Sequence, residues 1–264
     1  MGITGAILGD ISGSQYEFDK PKGFNAQTCQ LYSKYCMFTD DTVMSLAVKY
    51  AIDNGIEYGE AMRKIGIKYP DCGYGGRFYR WIMNQETEPY NSWGNGSAMR
   101  ASYIGEYFEN VGDVIREAEK SAAVTHNHPE GIKGAVTTAV CVWMAKHGKS
   151  KQEIYDYVLK QYPSEDYRYT VNGDLNKMAL TYTWDVSCQG SVPVAMKCFL
   201  DSDSYETFLR NVYKFDCDAD TLACIGGGVA EEYYSTTGLD NEAILKEYLD
   251  EELWKIYNGN KISL

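Results

Sequence analysis

The stretch FTDDTVMSLAVKYA, residues 38–51, shows most directly which kind of fold this sequence adopts. Its apolar side chains recur at the spacing i, i+3, i+4, i+7 and i+8, which places them on one face of an α-helix. They are Val43, Leu46, Ala47, Tyr50 and Ala51. Thr39 and two aspartates precede them, and these residue types commonly cap a helix start. The stretch therefore predicts an amphipathic helix with an acidic N-terminus.

The same helical spacing recurs along the 264-residue chain. It is found at 113–122, 208–213 and 244–256, and Ser150 with Glu153 forms a capping box before another helix. The apolar, alanine-rich run at 131–147 predicts a helix buried on all sides, and 222–234 predicts a helix that begins with small residues. Strand signals are weak, because the β-branched and aromatic run at 168–171 is short and isolated. We therefore predict an all-α fold, a compact multi-helix arrangement in one domain over residues 1–264, and not a doubly wound sheet.

Acidic residues outnumber basic ones, with 37 Asp and Glu against 25 Lys and Arg and a net charge of −12. Such a surface repels phosphate backbones and anionic lipids, which argues against general nucleic-acid binding and against a membrane partner. The N-terminus lacks a signal-peptide pattern, and no stretch reaches the roughly 18 apolar residues of a membrane span. The eight cysteines form no CxxC pair, which favours free thiols over a zinc ribbon. We expect a cytoplasmic protein.

Two clusters of oxygen-bearing side chains stand immediately before helical segments. They are Thr39-Asp40-Asp41 and Asp216-Cys217-Asp218-Ala219-Asp220-Thr221. The first cluster, taken alone, is best explained as a helix cap, because Thr and Asp accept hydrogen bonds from free backbone N–H groups. The second has three alternating aspartates, which is more than a cap requires. Clustered carboxylates with hydroxyls are typical ligands of a hard cation.

An EF-hand is excluded for the second cluster, because Thr221 stands where that loop needs glycine and Gly227 where it needs glutamate. The two clusters are 177 positions apart, counted from Asp41 to Asp218. If the fold brings both helix starts together, four carboxylates and two hydroxyls can hold two cations. A two-metal site can bind vicinal hydroxyls and position a water for attack.

Five motifs occur in an order that resembles the ADP-ribosylglycohydrolase family over nearly the whole chain. They are GDISGSQYE (9–17), TDD (39–41), GNGSAMR (94–100), TH (125–126) and DADT (218–221). The resemblance implies an all-α fold and a hydrolase with two divalent cations, Mg²⁺ or Mn²⁺. Its substrate would be an ADP-ribosylated protein or a small ADP-ribose conjugate, and its product free ADP-ribose.

The resemblance also implies roles for the acidic residues. The implied metal ligands are Thr39, Asp40, Asp41, Asp218, Asp220 and Thr221. Glu17 matches an acidic residue beside the metals, and we infer a catalytic set of Glu17, Asp40, Asp41 and Asp220. A general-base role for Glu17 is a hypothesis, and a solvated surface carboxylate is its alternative. Asp10 is expected to orient the loop, and Asp216 to lie outside the ligand set.

The implied substrate-binding residues are Ser92, Trp93, Gly94, Asn95, Gly96 and His126. Glycines allow close backbone approach, and successive N–H groups can form a concavity for a diphosphate. Trp93 either stacks on adenine or packs in the core. By resemblance His126 contacts the phosphates, whereas His128 begins the next helix with a proline at its first position. The glycine-rich stretch 69–77 either contacts the leaving group or is an ordinary loop.

The proposed reaction cleaves the N- or O-glycosidic bond at C1 of the distal ribose. Two alternatives stay open. The chain can be an ADP-ribose-binding or structural member without turnover, although all six inferred ligands are present. It can also be a metal-dependent phosphatase, because Asp218-Ala219-Asp220 resembles an aspartate-dipeptide nucleophile, but no apolar strand precedes it. The residues do not identify the acceptor to which ADP-ribose is attached.

Overall fold

The computed structural model describes residues 2–262, and the regular secondary structure in that range is entirely helical. One isolated antiparallel bridge joins Gly94 to Ser187. The helices are α1 (Gly2–Ser14), α2 (Asp40–Asn54), α3 (Tyr58–Gly66), α4 (Gly76–Met83), α5 (Gly96–Met99), α6 (Ser102–Tyr107), α7 (Val111–Ala123), α8 (Pro129–Lys146), α9 (Lys151–Gln161), α10 (Leu175–Thr181), α11 (Cys188–Leu200), α12 (Tyr205–Val212), α13 (Ala219–Tyr234), α14 (Asn241–Tyr248) and α15 (Glu251–Tyr257). The all-α prediction is confirmed. None of these helices combines the length and apolar character needed to cross a bilayer.

The predicted helix starts are found where the capping residues stand. Thr39 precedes α2, and its side chain accepts a hydrogen bond from the Asp41 N–H. Ser150 and Glu153 form the predicted capping box of α9. His128 caps α8, which has Pro129 at its first position. Local side-chain chemistry thus sets the N-termini of these three helices, because their first N–H groups have no partner within the helix.

The last predicted helix differs from the structure. The apolar positions between 244 and 256 suggested one helix, but the chain forms α14 and α15 with a break at Leu249. Leu249 adopts an extended backbone conformation, and the Asp250 carboxylate accepts a hydrogen bond of 2.8 Å from the Leu253 N–H. Asp250 is therefore a new N-cap, and a cap restarts a helix even where the apolar spacing continues. Residues 168–171 form no strand.

Helices α1 and α13 pack closely against each other through glycine. A side-chain carbon at Gly5 or Gly9 would overlap the backbone of Gly227 or Ala223, and one at Gly13 would lie 2.5 Å from the Asp220 Cα. Such close backbone approach is possible only where the Cβ atom is missing. The Tyr205 hydroxyl also donates a 2.6 Å hydrogen bond to the Gly5 carbonyl. The glycines thus bring the end of α1 against the start of α13.

Candidate active site

A cavity of about 440 Å³ opens where the starts of α2, α5 and α13 meet the end of α1. Its walls include all six predicted metal ligands and Glu17, namely Glu17, Thr39, Asp40, Asp41, Asp218, Asp220 and Thr221. The glycine loop contributes Ser92, Gly94, Asn95 and Gly96, and His126 lies beside it. The structure therefore brings together two acidic clusters that are far apart in sequence.

Asp10 holds the first acidic cluster in place from the middle of α1. One of its carboxylate oxygens accepts hydrogen bonds from the Thr39 N–H at 3.0 Å and the Thr42 N–H at 3.1 Å, and from the Thr42 hydroxyl. The other oxygen accepts from the Thr39 hydroxyl at 2.7 Å. A fully buried carboxylate is costly unless it is hydrogen-bonded, and these contacts offset part of that cost, while burial still raises the pKa of Asp10 to about 6. The expected orienting role of Asp10 agrees with this geometry.

The two acidic clusters contact each other directly through Asp41. Its Oδ2 accepts a hydrogen bond of 3.1 Å from the Thr221 hydroxyl, whereas its Oδ1 is buried and has no hydrogen-bond partner. Oxygens of Asp10, Asp41 and Asp220 all lie within 4.8 Å of one another, and so do those of Glu17, Asp218 and Asp220. Asp220 belongs to both groups. This arrangement offers two adjoining sets of oxygen ligands.

Burial and mutual repulsion make the ionised form of these carboxylates unfavourable in the protein alone. Burial, followed by neighbouring aspartates, raises the pKa of Asp40, Asp41 and Asp220 well above the usual range. For Glu17, burial and then Asp218 raise the pKa to about 7. A bound cation reverses this effect, because it stabilises the ionised form.

The donor set fits divalent metal ions. In the part of the chain that the structure describes, the ion pairs formed by Lys and Arg involve other carboxylates. The buried Asp41 Oδ1 also lacks a donor. Buried charges in proteins are normally paired or coordinate metals. Carboxylate and hydroxyl oxygens are the ligands that Mg²⁺ and Mn²⁺ prefer.

The glycine loop is hydrogen-bonded to a predicted metal ligand on one side and lies against His126 on the other. Asn95 donates a 2.7 Å hydrogen bond to Asp218. The Gly94 and Asn95 N–H groups are already engaged, with the Ser92 hydroxyl and the Val186 carbonyl. The predicted concavity of successive free N–H groups is therefore partly closed within the protein. A Cβ at Gly96 would lie 3.3 Å from His126 Nε2, so glycine lets this loop approach the imidazole.

Trp93 is the one predicted substrate-binding side chain that does not line this cavity. It is 53 % exposed, and its ring centre lies 5.4 Å from that of His128. The alternative of core packing is therefore wrong for Trp93. Asp216 is exposed and is not part of the cavity wall, as expected.

Comparison with known proteins identifies the family of the chain. Residues 1–252 match the family model described as ADP-ribosylglycohydrolase. The chain belongs to the ADP-ribosylglycohydrolase family. It is therefore a member of a group of glycosidic-bond hydrolases, and the observed helical fold agrees with this membership.

Individual relatives of this family are similar along most of their length. The human ADP-ribosylhydrolase ARH3 is 26 % identical over 305 residues, which cover 88 % of this chain and 84 % of the relative. A putative ADP-ribosyl glycohydrolase, L543, of Acanthamoeba polyphaga mimivirus is 23 % identical and covers 89 % of this chain and 86 % of its own. A solved structure named ADP-ribosylglycohydrolase-related protein complex has a TM-score of 0.71 at 19 % identity. The match covers 98 % of this chain and 94 % of the chain in that structure. That structural likeness supports the fold alone.

Several cavity residues of this family member were not predicted from the sequence. They are Phe18, Phe78, Tyr90, Met99, Arg100, Trp184 and Val186. Phe18 and Trp184 stack at the rim with ring centres 5.8 Å apart. Arg100 is the last residue of the GNGSAMR motif, so this motif was the sequence signal that could have identified Arg100 as a cavity residue. Trp184 and Val186 reach the cavity because their segment pairs with the glycine loop, where the Asn95 N–H donates to the Val186 carbonyl at 2.8 Å.

Proposed function

We propose that this protein is a metal-dependent hydrolase that removes ADP-ribose from a modified target. The main observation in support is the convergence of six oxygen-ligand residues and Glu17 in one cavity, beside a glycine loop. The unpartnered, buried Oδ1 of Asp41 is what a cation would satisfy. The names of the relatives, ADP-ribosylhydrolase and putative ADP-ribosyl glycohydrolase, agree with this activity.

The proposed metal centre would hold two divalent cations, Mg²⁺ or Mn²⁺. Asp41 and Asp220, with Thr39, Asp40, Asp218 and Thr221, would provide its oxygen ligands. When bound, such ions supply positive charge to the ribose hydroxyls and acidify a water. Asp10 would keep the first cluster in register through its four hydrogen bonds from Thr39 and Thr42.

Glu17 is the residue that we assign to proton transfer. It is half-buried and lines the cavity, with a carboxylate oxygen within 4.8 Å of oxygens of Asp218 and Asp220. Beside two cations this carboxylate would be ionised, so it could accept a proton from the attacking water and return it. The water oxygen forms a bond to C1 of the distal ribose, the C1–N or C1–O bond breaks, and a proton passes to the leaving group. A Glu17→Gln variant should retain ADP-ribose binding and lose turnover.

The rest of the cavity would bind the ADP-ribose portion of the substrate. The loop at residues 92–96 and His126 lie together at one wall, where Asn95 is fixed by hydrogen bonds to Asp218 and Ser191. Phe18 and Trp184 provide apolar ring surface at the rim. Because ordered loops need less reorganisation on binding, these contacts would hold the distal ribose close to the acidic clusters.

The proposal is tested by hydrolysis of defined ADP-ribosyl conjugates linked through serine and through arginine. Asp41→Asn and Asp220→Asn remove one charge each from the cavity, and we expect each to lower kcat at least about 100-fold. Asp216→Asn is the matched control, because Asp216 belongs to the same acidic run but is exposed and outside the cavity. The control should stay within about twofold of wild type.

Folding of each variant is checked by circular dichroism. Turnover by folded Asp220→Asn at the wild-type rate would contradict the proposal. Tight binding of ADP-ribose by the wild type, with no release from any conjugate, would favour a binding protein instead. Hydrolysis of a generic phosphomonoester with no action on the ADP-ribosyl conjugates would favour the phosphatase alternative.

A further inference from the structure

A short chain of hydrogen bonds links a buried arginine to the histidine beneath the glycine loop. Arg100 donates from Nη2 to the Thr125 hydroxyl at 3.1 Å, and that hydroxyl lies 2.7 Å from His126 Nδ1. All three residues are at least 96 % buried, with 1 %, 0 % and 4 % of their surface exposed. Arg100 and His126 both line the cavity. These hydrogen bonds thus join two residues of the cavity wall through a fully buried threonine.

Arg100 is an unusual buried cation, because its contacts in the described residues are neutral. Nη2 also donates to the Ser121 carbonyl at 2.9 Å, and Nε has no hydrogen-bond partner. Burial lowers the pKa of Arg100 to about 10, so that it stays protonated at neutral pH. A guanidinium only donates hydrogen bonds, and Thr125 must therefore accept from it.

The direction of the hydrogen bond between Thr125 and His126 follows from counting the hydrogens and acceptor sites of the Thr125 hydroxyl. A hydroxyl carries one hydrogen and two acceptor sites. The guanidinium of Arg100 occupies one acceptor site of Thr125, and in the described residues the other polar atom that this hydroxyl contacts is His126 Nδ1. The Thr125 hydrogen is then directed to His126 Nδ1, which accepts it. A neutral imidazole that accepts at Nδ1 carries its hydrogen on Nε2.

The Nε2 atom of His126 faces the glycine loop at the cavity wall. Side-chain carbons placed on Gly94 and Gly96 would lie 3.6 and 3.3 Å from it. Within residues 2–262, the ring of His126 makes its hydrogen bond through Nδ1. Nε2 makes none there, and it is not fully buried. Burial and then Arg100 lower the pKa of His126 well below its usual range, so that the ring stays neutral.

We propose that Arg100 and Thr125 are positioning residues that hold His126 as its Nε2–H tautomer, so that a neutral imidazole donates a hydrogen bond to an anionic ligand oxygen. The identity of that oxygen, on the diphosphate of ADP-ribose, rests on the proposed function. The tautomer does not. A neutral donor is suited to this cavity, because the acidic side chains that also line it repel an anion and a fixed donor offsets that repulsion.

The tautomer is tested in ligand-free protein by long-range ¹H–¹⁵N NMR of the imidazoles. The other two histidines, His128 and His147, are replaced by asparagine for assignment, in a variant whose fold and activity are compared with wild type. We expect His126 to show a protonated Nε2 and a bare Nδ1. Thr125→Val should produce a mixture of tautomers, and Thr125→Ser should restore the single form. A protonated Nδ1 on His126 in the protein that retains Thr125 would overturn the proposal.

Arg100 is tested in the same spectra. Arg100→Met should alter the tautomer ratio of His126 although Thr125 is still present, because the Thr125 hydroxyl is then free to rotate. If Arg100→Met does not fold, Arg100→Lys keeps a charge but not the fork geometry and serves in its place. Thr137→Val is the matched control, because Thr137 is another buried threonine whose hydroxyl makes no hydrogen bond in the described residues. It should leave the spectra of His126 unchanged.

Calorimetry with ADP-ribose then measures the consequence for binding. Thr125→Val should weaken binding about tenfold, whereas Thr125→Ser and Thr137→Val should stay within about twofold of wild type. Equal affinity of Thr125→Val and wild type would overturn the donor role. Absence of binding by wild type would instead contradict the proposed function, while the ligand-free spectra would still decide the tautomer.

Discussion

Replacement of Gly13 by alanine tests how the fold builds the site. Gly13 lies near the end of α1, and an added Cβ would meet the Asp220 Cα at 2.5 Å and the Ala219 carbonyl at 2.6 Å. These are backbone atoms, which cannot rotate away as a side-chain end can. Restoring ordinary contact requires the two helices to separate by roughly 1 Å, and such overpacking costs about 1–3 kcal/mol. Alanine's higher helix propensity offsets at most about 1 kcal/mol of this.

The displacement falls on Asp220, which belongs to both candidate ligand sets. A misplacement of roughly 1 Å in an active site can lower the rate about 100-fold. We therefore expect Gly13→Ala to unfold at lower urea concentration and to lose about 100-fold in kcat on an ADP-ribosyl conjugate.

Gly59→Ala is the matched control, because an added Cβ there meets only side-chain ends, Val124 Cγ1 at 3.0 Å and Arg63 Nη1 at 3.1 Å. It should remain within about 1 kcal/mol of wild type and keep its activity. If Gly13→Ala is as stable and as active as Gly59→Ala, glycine contact between α1 and α13 does not position the site.

Three further predictions concern separate parts of the molecule. Asp10→Ala should lower the free energy of unfolding by about 2–5 kcal/mol in urea titrations, because it leaves the buried N–H groups of Thr39 and Thr42 without their acceptor. Trp184→Ala should raise KM for an ADP-ribosyl conjugate about three- to tenfold with little change in kcat, since it removes the ring that stacks on Phe18 at the cavity rim. Burial raises the pKa of Glu231 from 4.5 to about 8, so the folded state retains a proton that the unfolded state releases, and stability should fall as pH rises between these values. Thermal melts of Glu231→Gln, whose side-chain oxygen can still accept from the Gly5 N–H, should show a flatter pH dependence over that range.

The sequence predicted those elements whose signals are local. The start of α2 could be read from Thr39 and the apolar spacing after it, and the start of α9 from the capping box of Ser150 and Glu153. Such features depend on residues within one or two turns. The acidic clusters were recognisable for the same reason, since their composition exceeds what a helix cap requires.

The remaining features depend on contacts between distant segments. Helix α1 is buried on nearly all sides, so it lacks the apolar stripe that predicts an amphipathic helix. The importance of Gly13 becomes visible only when the backbone of Asp220 is placed against it. Trp184 had no signal, because the pairing of its segment with the glycine loop brings it to the cavity. Trp93 was expected to contact adenine or to pack in the core, and its 53 % exposure excludes core packing.

The central claim is that the acidic residues gathered by α1, α2 and α13 act through divalent cations to release ADP-ribose. It is tested most directly by time courses of ADP-ribose release from a defined conjugate, with protein first treated with EDTA and then supplied with excess Mg²⁺ or Mn²⁺. We predict no release in EDTA and full recovery on addition of either Mg²⁺ or Mn²⁺ to wild type, but not to Asp220→Asn. Release at an unchanged rate in EDTA would contradict the claim.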